Sequence, residues 1–517
     1  MTRCIHCTRC VRFSEEVAGV SDLGTTGRGK ATEIGTYVDK MMTSELSGNI
    51  VDLCPVGALT NAPYAFTSRP WELVSTNSID LLEPLCPNVI FDRRGSEIMR
   101  SLPRVNEEVN EEWLSDKSRY SYDGLKRQRL DSPMFRNLET GKYEEISWVQ
   151  ALEMLSKKMG SVNDASKEIL GLTGEFNSLE TLTVFKDMFA KMDNDQVSWN
   201  IYSQEKSTSR EHFLLNSDVT DLPEADAIVL IGTNLKYDSP LMNARVLKGT
   251  RKLKNKTKVY TVGPDYDLGY KTIHLGTNVS VVDQIVSGAH PLSAKLAKAQ
   301  NAKVIVSGLL ADSLPEYSLM ASKLRNYVSG LNRESGHRNV SFGILGGYVG
   351  WINAQELGLE NWSLASNKSA LGRVKLVYNL GNDNPRFLNY LQTQLNDSGA
   401  EYRPFIVYQG SHGDAGAAFA DLILPSAAFT EENGTFSNVE GRIQQANKVV
   451  PPPGDSRENW QILRAVSEVM RMQLFVDSWE DLNLRMSQVV PYVLKKDFKE
   501  QWHSLVGEEG RSFVTRS

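Results

Sequence analysis

The stretch Ala-Ile-Val-Leu-Ile-Gly-Thr-Asn at residues 227–234 is an apolar run that ends in glycine and two polar residues. Continuous apolar strands that alternate with helices are typical of parallel sheets covered on both faces. The sequence therefore predicts a multi-layer α/β body over residues 126–450. Similar runs ending in glycine recur along this body, at residues 168–174, 259–263, 304–308, 374–381 and 405–410.

A helix is predicted directly after the first of these runs. Ser178 is placed to cap it, since a serine hydroxyl can accept a hydrogen bond from a free N–H of the first turn. The apolar residues that follow recur at helical spacing, at Leu182, Phe185, Met188 and Phe189.

The sequence before the α/β body has a different character. Residues 88–91 and 97–102 predict two short strands joined by a polar turn, so residues 69–125 are expected to form a small, mainly β segment. Residues 1–68 are rich in glycine and short polar turns, and they contain four of the five cysteines. A short helix is expected after Cys54.

The sequence after the α/β body begins with the prolines at residues 451–453, which make a stiff linker. Apolar spacing predicts a helix around residues 460–470. Residues 451–517 are therefore expected to form a C-terminal helical extension.

Three cysteines, Cys4, Cys7 and Cys10, are separated by two residues each, and Cys54 follows much later, directly before a proline. Two-residue gaps let one tight loop bring three sulfurs to three corners of a cubane, while the fourth ligand arrives from elsewhere. Iron in such clusters prefers soft thiolate ligands. We therefore predict that Cys4, Cys7, Cys10 and Cys54 bind one [4Fe–4S] cluster within residues 1–68.

A zinc site and reduced structural thiols are the alternatives for these cysteines. Zinc sites usually show paired Cys-x2-Cys units rather than a triplet with a remote Cys-Pro. The fifth cysteine, Cys86, stands alone and is expected to be a buried, unreactive thiol. Each of the residues interleaved with the ligands could act beside the cluster or lie on an ordinary surface: Arg3, His6, Arg9 and Arg12.

Composition excludes several classes of function. The chain has 517 residues, a net charge of −6 and only five cysteines, so it is not a disulfide scaffold. Its mild acidity argues against nucleic acid as a main partner, because phosphate binding needs a concentrated basic face. Its apolar runs fall short of the roughly 18 residues that span a bilayer, so no direct membrane span is expected.

The sequence resembles one known family, the 75-kDa iron–sulfur subunit of NADH:ubiquinone oxidoreductase (respiratory complex I). The resemblance covers essentially the whole chain and is closest to mitochondrial and related proteobacterial versions. The residues that carry it are 1–13, 23–29, 44–55, 63–72, 110–117, 122–129 and 408–425. It implies a small ferredoxin-like iron–sulfur region followed by an α/β body that resembles the molybdopterin oxidoreductases.

The resemblance also implies a function, a location and partners. The cluster would relay single electrons from the NADH/FMN module toward ubiquinone. The expected partners are the NADH/FMN-binding subunit, its [2Fe–2S] partner and downstream iron–sulfur subunits. The expected location is peripheral, on the matrix side of the mitochondrial inner membrane, or on the cytoplasmic side of a bacterial membrane.

The sequence departs from the family at its beginning. The family normally starts with a [2Fe–2S] domain and a tetranuclear site that has one histidine and three cysteine ligands, whereas no cysteine precedes Cys4 here. We expect the missing motifs on a separate chain docked on residues 1–70, with Met1 a genuine start; the alternative is that this chain is part of a longer one.

The α/β body is expected to contain no molybdenum cofactor. Residues 225–234 and 240–245 look like a pterin-dinucleotide loop, but in the complex I family this domain is understood to lack the cofactor, and Cys86 is the remaining candidate thiolate for molybdenum. The glycines that end the strands are then structural: Gly232, Gly263, Gly308 and Gly381. The alternatives are a self-contained molybdenum oxidoreductase and a subunit whose cluster only staples the fold.

A polar group near residues 412–440 could suggest a hydrolytic site. Polar turn residues within family-typical loops are the favoured interpretation, because neither a nucleophile elbow nor a phosphate-binding loop accompanies them. These residues are His412, Asp414, Glu431, Glu432 and Glu440.

Overall fold

The computed structural model describes residues 3–36, 41–137, 139–199, 201, 209–253, 256–335, 339–359, 362–397, 403–474 and 476–494. The chain divides into two compact units. The first consists of residues 1–122, 215–307 and 319–345, and the second of residues 123–214, 308–318 and 346–517.

The strands of the described residues are, in chain order, β1 Leu23–Thr26, β2 Glu33–Thr36, β3 Val74–Ile79, β4 Asn88–Arg94, β5 Glu97–Pro103, β6 Met134–Arg136, β7 Tyr143–Glu145, β8 Ile169–Thr173, β9 Val197–Ser198, β10 Ala227–Ile231, β11 Lys258–Val262, β12 Thr272–Gly276, β13 Asn301–Ser307, β14 Asn339–Leu345, β15 Leu376–Leu380, β16 Phe405–Gly410, β17 Leu422–Pro425, β18 Gly434–Ser437 and β19 Ile443–Ala446.

The α-helices are α1 Arg9–Glu16, α2 Asn49–Leu53, α3 Asp116–Tyr120, α4 Trp148–Met159, α5 Ala165–Glu168, α6 Leu179–Lys191, α7 Leu235–Asp238, α8 Pro240–Thr250, α9 Ser280–Val286, α10 Pro291–Leu296, α11 Tyr317–Ser335, α12 Val349–Glu356, α13 Lys368–Leu371, α14 Pro385–Asp397, α15 Ala415–Phe419, α16 Asn459–Val469 and α17 Trp479–Val489. Short 3-10 helices are Gly29–Ala31, Pro70–Glu72, Ser121–Lys126, Arg210–His212, Val219–Glu224, Gly308–Asp312 and Pro491–Leu494.

The first unit contains three sheets. β1 and β2 form an antiparallel hairpin, and β3, β4 and β5 form an antiparallel sheet in that order. The third sheet is parallel, with the order β12-β11-β10-β13-β14. The chain moves outward from β10 to β12 and then returns to the other side of β10, which is the order of a doubly wound fold.

The second unit is built on a seven-stranded sheet with the order β7-β6-β17-β16-β15-β8-β9. The strands from β17 to β9 are parallel, while β6 is antiparallel to both of its neighbours. The predicted parallel α/β architecture is therefore confirmed. The antiparallel pair β6–β7 was not predicted, because its strands are only three residues long.

Both faces of the seven-stranded sheet are buried. Successive residues of a strand point to opposite faces, and Leu376 and Val377 of β15 accordingly belong to two different apolar clusters. One cluster includes Phe185 and Phe189 of α6, and the other includes Phe387 of α14. Burial on both faces explains why these strands read as continuous apolar runs in the sequence.

Several predicted elements are confirmed. The Ser178 hydroxyl accepts a hydrogen bond from the N–H of Thr181 and so caps α6. The hairpin β4–β5 and helix α16 lie where the sequence predicted them. The C-terminal part of the predicted helical extension, residues 495–517, lies outside the described residues.

Helices of the described residues are all too short or too polar to cross a bilayer.

Backbones approach very closely where β8 and β15 end. A Cβ atom on Gly174 would lie 1.8 Å from the carbonyl oxygen of Gly381, so only glycine fits there. The amide of Asn177 donates to the carbonyl of Leu380 (2.9 Å), and the amide of Asn382 donates to the carbonyl of Thr173 (3.0 Å). The two strand ends are therefore bonded directly to each other.

The carboxyl groups of Glu175, Asp383 and Asp414 lie near each other at this edge of the sheet. Burial, with help from Asp383 and Asp414, raises the pKa of Glu175 to about 7. Burial also raises the pKa of Asp383 to about 6, although hydrogen bonds from the Tyr408 hydroxyl (2.8 Å) and the Gly416 N–H (2.9 Å) oppose the shift. Desolvation and mutual repulsion both favour the protonated forms.

We predict that Glu175→Gln makes the protein more stable at alkaline pH. Since the folded pKa of Glu175 is raised, its contribution to stability is present below its ordinary pKa of 4.5 and is lost as the pH rises through about 7. The variant cannot ionise, so its free energy of unfolding at pH 8 should exceed that of the wild type by roughly 1–3 kcal/mol. Chemical denaturation at pH 4.5 and pH 8 measures the difference.

Exposed Glu153 on α4 provides the control. Glu153→Gln should leave the pH dependence of unfolding as it is in the wild type. Equal pH dependence in Glu175→Gln and the wild type would show that Glu175 ionises freely in the folded protein.

Candidate iron–sulfur site

The first three predicted ligands lie on one tight loop. Cys4 and Cys7 lie before α1, and Cys10 is the second residue of that helix. His6 and Thr8 both adopt the left-handed conformation, with φ of 54° and 59°. Such residues turn the chain sharply and are uncommon outside strained functional segments. Their alternation with the cysteines lets the loop double back within seven residues.

The electrostatics of this loop make the three thiols interdependent. Burial raises the pKa of Cys10, and the charges of Cys7 and Cys4 add to the shift. Thiolates crowded on one loop repel each other, and bound iron would relieve that repulsion. The N–H of His6 lies 3.4 Å from Sγ of Cys4 and donates to it.

Cys54 has a different environment, built by the backbone that follows it. It ends α2, and its N–H donates to the carbonyl of Ile50 (3.1 Å). Partial burial opposes ionisation of its thiol, but the polar backbone N–H groups of residues 56–59 favour the thiolate and lower the pKa of Cys54. Gly57 makes this turn possible, because its φ is 62°. Such a turn is suited to an anionic sulfur ligand.

The sequence-based position of the helix near Cys54 is wrong. A helix was expected after this cysteine, whereas α2 precedes it and residues 55–59 form turns. Gly57 adopts a left-handed conformation within these turns, and that conformation does not continue a right-handed helix. The pattern Cys-Pro-x-Gly was the available signal, since a glycine three residues after the cysteine permits the left-handed turn.

The small β segment holds α2 in place. The carboxylate of Asp116 accepts hydrogen bonds from the N–H groups of Ser47 and Gly48, at 3.0 and 2.7 Å, at the start of the helix. The buried guanidinium of Arg119 donates to Asp52 at 2.7 Å. Residues more than 60 positions away therefore fix the helix that carries Cys54. Sequence reasoning missed Asp116 and Arg119.

Helices α1 and α2 pack against each other, so the cysteine loop and Cys54 belong to one region. Nη1 of Arg3 lies 3.9 Å from the position that a Cβ on Gly57 would occupy, which brings the beginning of the loop to the Cys54 turn. Within the described residues, no three Cys, His, Asp or Glu side chains lie close enough together to hold a metal ion. The four-cysteine ligand set therefore stays a prediction.

The residues interleaved with the cysteines differ in their contacts. Arg12 donates to Glu16, four residues along α1, at 3.0 Å, and both side chains are exposed. The charge of Arg12 is therefore paired with Glu16 on the surface of α1. His6 and Arg9 are exposed as well. Arg3 is the cation that the structure places beside the Cys54 turn.

Cys86 is buried, as predicted. Burial raises the pKa of its thiol well above the ordinary range, and Asp80 and Glu83 add to the shift. A thiol held protonated in this way is a poor nucleophile and a poor metal ligand.

The polar residues considered for hydrolysis have structural partners in the second unit. Both oxygens of Glu431 accept from the guanidinium of Arg129, at 2.5 and 2.7 Å. The ring of His412 bonds the Ser411 hydroxyl (2.9 Å) and the carbonyl of Gly124 (3.1 Å). These contacts support the interpretation as polar loop residues.

The fold and the site define a class of protein. A ferredoxin-like cysteine region precedes an α/β body with doubly wound parallel sheets. Residues 1–60 match the family profile "NADH-quinone oxidoreductase subunit 3, ferredoxin-like domain", residues 73–123 match "NADH-ubiquinone oxidoreductase NDSU1/NuoG-like, 4Fe-4S domain", and residues 129–469 match "Molybdopterin oxidoreductase". The protein is thus an iron–sulfur protein joined to a molybdopterin-oxidoreductase fold.

Individual relatives make the assignment more specific. The NADH-ubiquinone oxidoreductase 75 kDa subunit of Reclinomonas americana is 40% identical over 511 residues, which are 96% of this chain and 71% of the relative. The mitochondrial NADH dehydrogenase [ubiquinone] iron-sulfur protein 1 of Solanum tuberosum is 40% identical over 510 residues, covering 97% and 65%. The mitochondrial 78 kDa subunit of Candida albicans is 36% identical over 516 residues, covering 97% and 67%.

The chain belongs to the family of the 75-kDa iron–sulfur subunit of NADH-ubiquinone oxidoreductase. The predicted family and fold class are confirmed. The chain spans about two thirds of the length of these relatives. The domain boundaries predicted from the sequence stay predictions.

We predict that Gly57→Ala weakens cluster retention. A side chain at φ 62° strains the turn, at a cost of about 1–2 kcal/mol, and displaces the N–H groups that face the Cys54 sulfur. Loss of iron and acid-labile sulfide to a chelator should become several-fold faster than in the wild type. Timed iron release from the purified complex measures this.

Gly24→Ala is the matched control. Gly24 lies in the same region, and a Cβ there would meet no atom within 4 Å. Its release rate should equal that of the wild type, whereas equal rates for Gly57→Ala and Gly24→Ala would refute a role for the turn.

Proposed function

We propose that Cys4, Cys7, Cys10 and Cys54 bind one [4Fe–4S] cluster. The observation that carries this proposal is the pairing of two local structures. One is a loop with three thiols at two-residue spacing and left-handed turns between them, and the other is a fourth thiol at the end of α2, which packs against α1, in a turn whose N–H groups lower its pKa. Zinc is less suited to this set, because zinc sites usually show paired Cys-x2-Cys units rather than a triplet with a remote Cys-Pro.

The chain relays single electrons within NADH:ubiquinone oxidoreductase, between the NADH/FMN module and ubiquinone. A bound cluster supplies one-electron oxidation and reduction. The chain's own residues hold the sulfurs in place, and the N–H groups of residues 56–59 and the cation of Arg3 stabilise negative charge there. NADH, FMN and ubiquinone bind other subunits. Family membership supports this role.

The partners are the other subunits of the peripheral arm. They include the NADH/FMN-binding subunit, its [2Fe–2S] partner and downstream iron–sulfur subunits. Neighbouring redox centres lie within electron-transfer reach of the cluster, because an isolated cluster cannot conduct electrons across a complex. The location is peripheral, on the matrix side of the mitochondrial inner membrane; two of the similar relatives are described as mitochondrial.

The α/β body serves as a scaffold without a molybdenum cofactor. Ligands of open α/β folds bind in the crevice where the strand order reverses. In the second unit this position lies between β8 and β15, and the contacts of Gly174, Asn177 and Asn382 join the two strand ends there. This closure supports a structural role for the strand-end glycines.

The ligand assignment predicts the spectrum of a cysteine variant. In the assembled complex, Cys54→Ala should eliminate one tetranuclear signal from the EPR spectrum of the NADH-reduced enzyme and lower NADH-to-quinone activity at least tenfold. Cys86→Ala should leave all signals in place, because Cys86 lies outside the proposed ligand set. Retention of every tetranuclear signal together with full activity in Cys54→Ala would refute the assignment.

Metal analysis tests the cofactor content. The wild-type complex should contain about four more iron atoms per chain than the Cys54→Ala complex, as one cubane cluster requires. Molybdenum should be far below one atom per chain. About one molybdenum per chain would instead identify a molybdenum oxidoreductase, and a cluster that NADH cannot reduce would identify a structural staple.

A further inference from the structure

Two aromatic side chains of the first unit are almost fully exposed. Phe66 is 93% exposed and Trp71 is 80% exposed, and Val74 nearby is 51% exposed. Apolar side chains of this size are costly to leave in water. We call Phe66, Trp71 and Val74 the aromatic patch.

Arg94 contacts the chain beside both aromatic residues. Nη1 of Arg94 donates to the carbonyl of Thr67 at 3.1 Å, next to Phe66. The same nitrogen lies 3.8 Å from the carboxylate of Glu72, next to Trp71. In the β3–β4 pairing, Val74 lies opposite Arg93, the residue before Arg94. The patch therefore surrounds the end of β4.

The backbone that carries the patch is held rigidly. The carboxylate of Glu72 accepts from the N–H of Arg69 and from the Ser68 hydroxyl, both at 3.2 Å, around the 3-10 helix that contains Trp71. The ring of Tyr64 is covered by the guanidinium of Arg100, 4.7 Å from its centroid, and its hydroxyl donates to the carbonyl of Ser68 (3.2 Å). A surface fixed in advance loses little conformational entropy on binding.

Phe66 is also strained. Its φ is 66°, in the left-handed region that bulky side chains avoid. The side chain is 93% exposed, so its packing contributes little to offset the strain. Strain that persists at an exposed aromatic residue is typical of a residue that is used in recognition.

The charges around the patch define what would fit it. Arg69 and Arg94 are exposed at its edge, and the carboxylate of Glu72 lies 3.8 Å from Arg94. Aromatic residues and arginine are the side chains enriched at the centres of protein interfaces. A matching surface would offer apolar pockets for the two rings and carboxylates for the arginines.

We propose that the aromatic patch, with Arg69 and Arg94 at its edge, is a docking site for a partner protein that presents two apolar pockets flanked by carboxylates. A protein fits better than a membrane. Glu72 is next to Trp71 in the chain, and Arg94 donates to the carbonyl of the residue after Phe66, so insertion of both rings into lipid would desolvate both charges, whereas a protein surface can pair them. The proposal does not depend on the cluster or on electron transfer.

Site-specific photo-crosslinking in the native assembly tests the proposal. A benzoylphenylalanine in place of Phe66 should crosslink to one segment of one other polypeptide, which contains carboxylates and apolar residues. The double variant Phe66→Ser/Trp71→Ser should lower the fraction of the chain that is assembled at least fivefold, as measured on native gels. Crosslinks to lipid alone, to a second copy of this chain, or scattered over many proteins would overturn the proposal.

Leu253→Ser is the matched control, because Leu253 is 97% exposed in the same unit. It should assemble like the wild type. Thermal unfolding should show that the double variant folds, since both side chains project into solvent. Its tetranuclear EPR signal should also remain, which separates failure of docking from failure of the cluster assignment. Wild-type assembly of the double variant would overturn the proposal.

A charge exchange tests the complementarity. Arg69→Glu should weaken assembly several-fold, and replacing a carboxylate by lysine in the crosslinked partner segment should restore most of it. If the exchange fails to restore assembly, the surface does not recognise carboxylates and the proposed partner chemistry is wrong.

Discussion

Asp116 and Arg119 bind helix α2 from the neighbouring β segment, and the geometry of the candidate cluster site depends on this attachment. Asp116 accepts the free N–H groups at the start of the helix, and Arg119 holds Asp52 in its last turn. A helix of five residues would not be stable alone. Because both of its ends are bonded to other elements, the helix delivers Cys54 at a fixed position. The site is therefore a property of residues 1–122 together.

The second unit depends on a different constraint, the burial of both faces of its seven-stranded sheet. Neighbouring residues of β15 enter two separate apolar clusters, so substitutions on either face disturb packing. Polar atoms inside such a fold must find partners, and the asparagines at the strand ends provide them. The same bonds join the ends of β8 and β15.

The sequence predicts those features that arise from local chemistry. The parallel strands were visible because burial on both faces requires uninterrupted apolar runs, and the cap at Ser178 was visible because its donors are three residues away. The cysteine spacing predicted the loop. The features that were missed include β3, whose first four residues are polar or exposed, the short pair β6–β7, the turn after Cys54, and the contacts of Asp116 and Arg119. The last pair joins residues far apart in the chain, which a local pattern does not reveal.

Two cysteines of the first unit show how environment sets the acidity of a thiol. Cys54 and Cys86 each precede a proline, and both are at least partly buried. Backbone N–H groups of residues 56–59 favour the thiolate of Cys54, whereas Asp80 and Glu83 oppose the thiolate of Cys86. Burial alone favours the protonated thiol at both positions. The backbone reverses that preference at Cys54, so two thiols in similar sequence contexts have pKa values shifted in opposite directions.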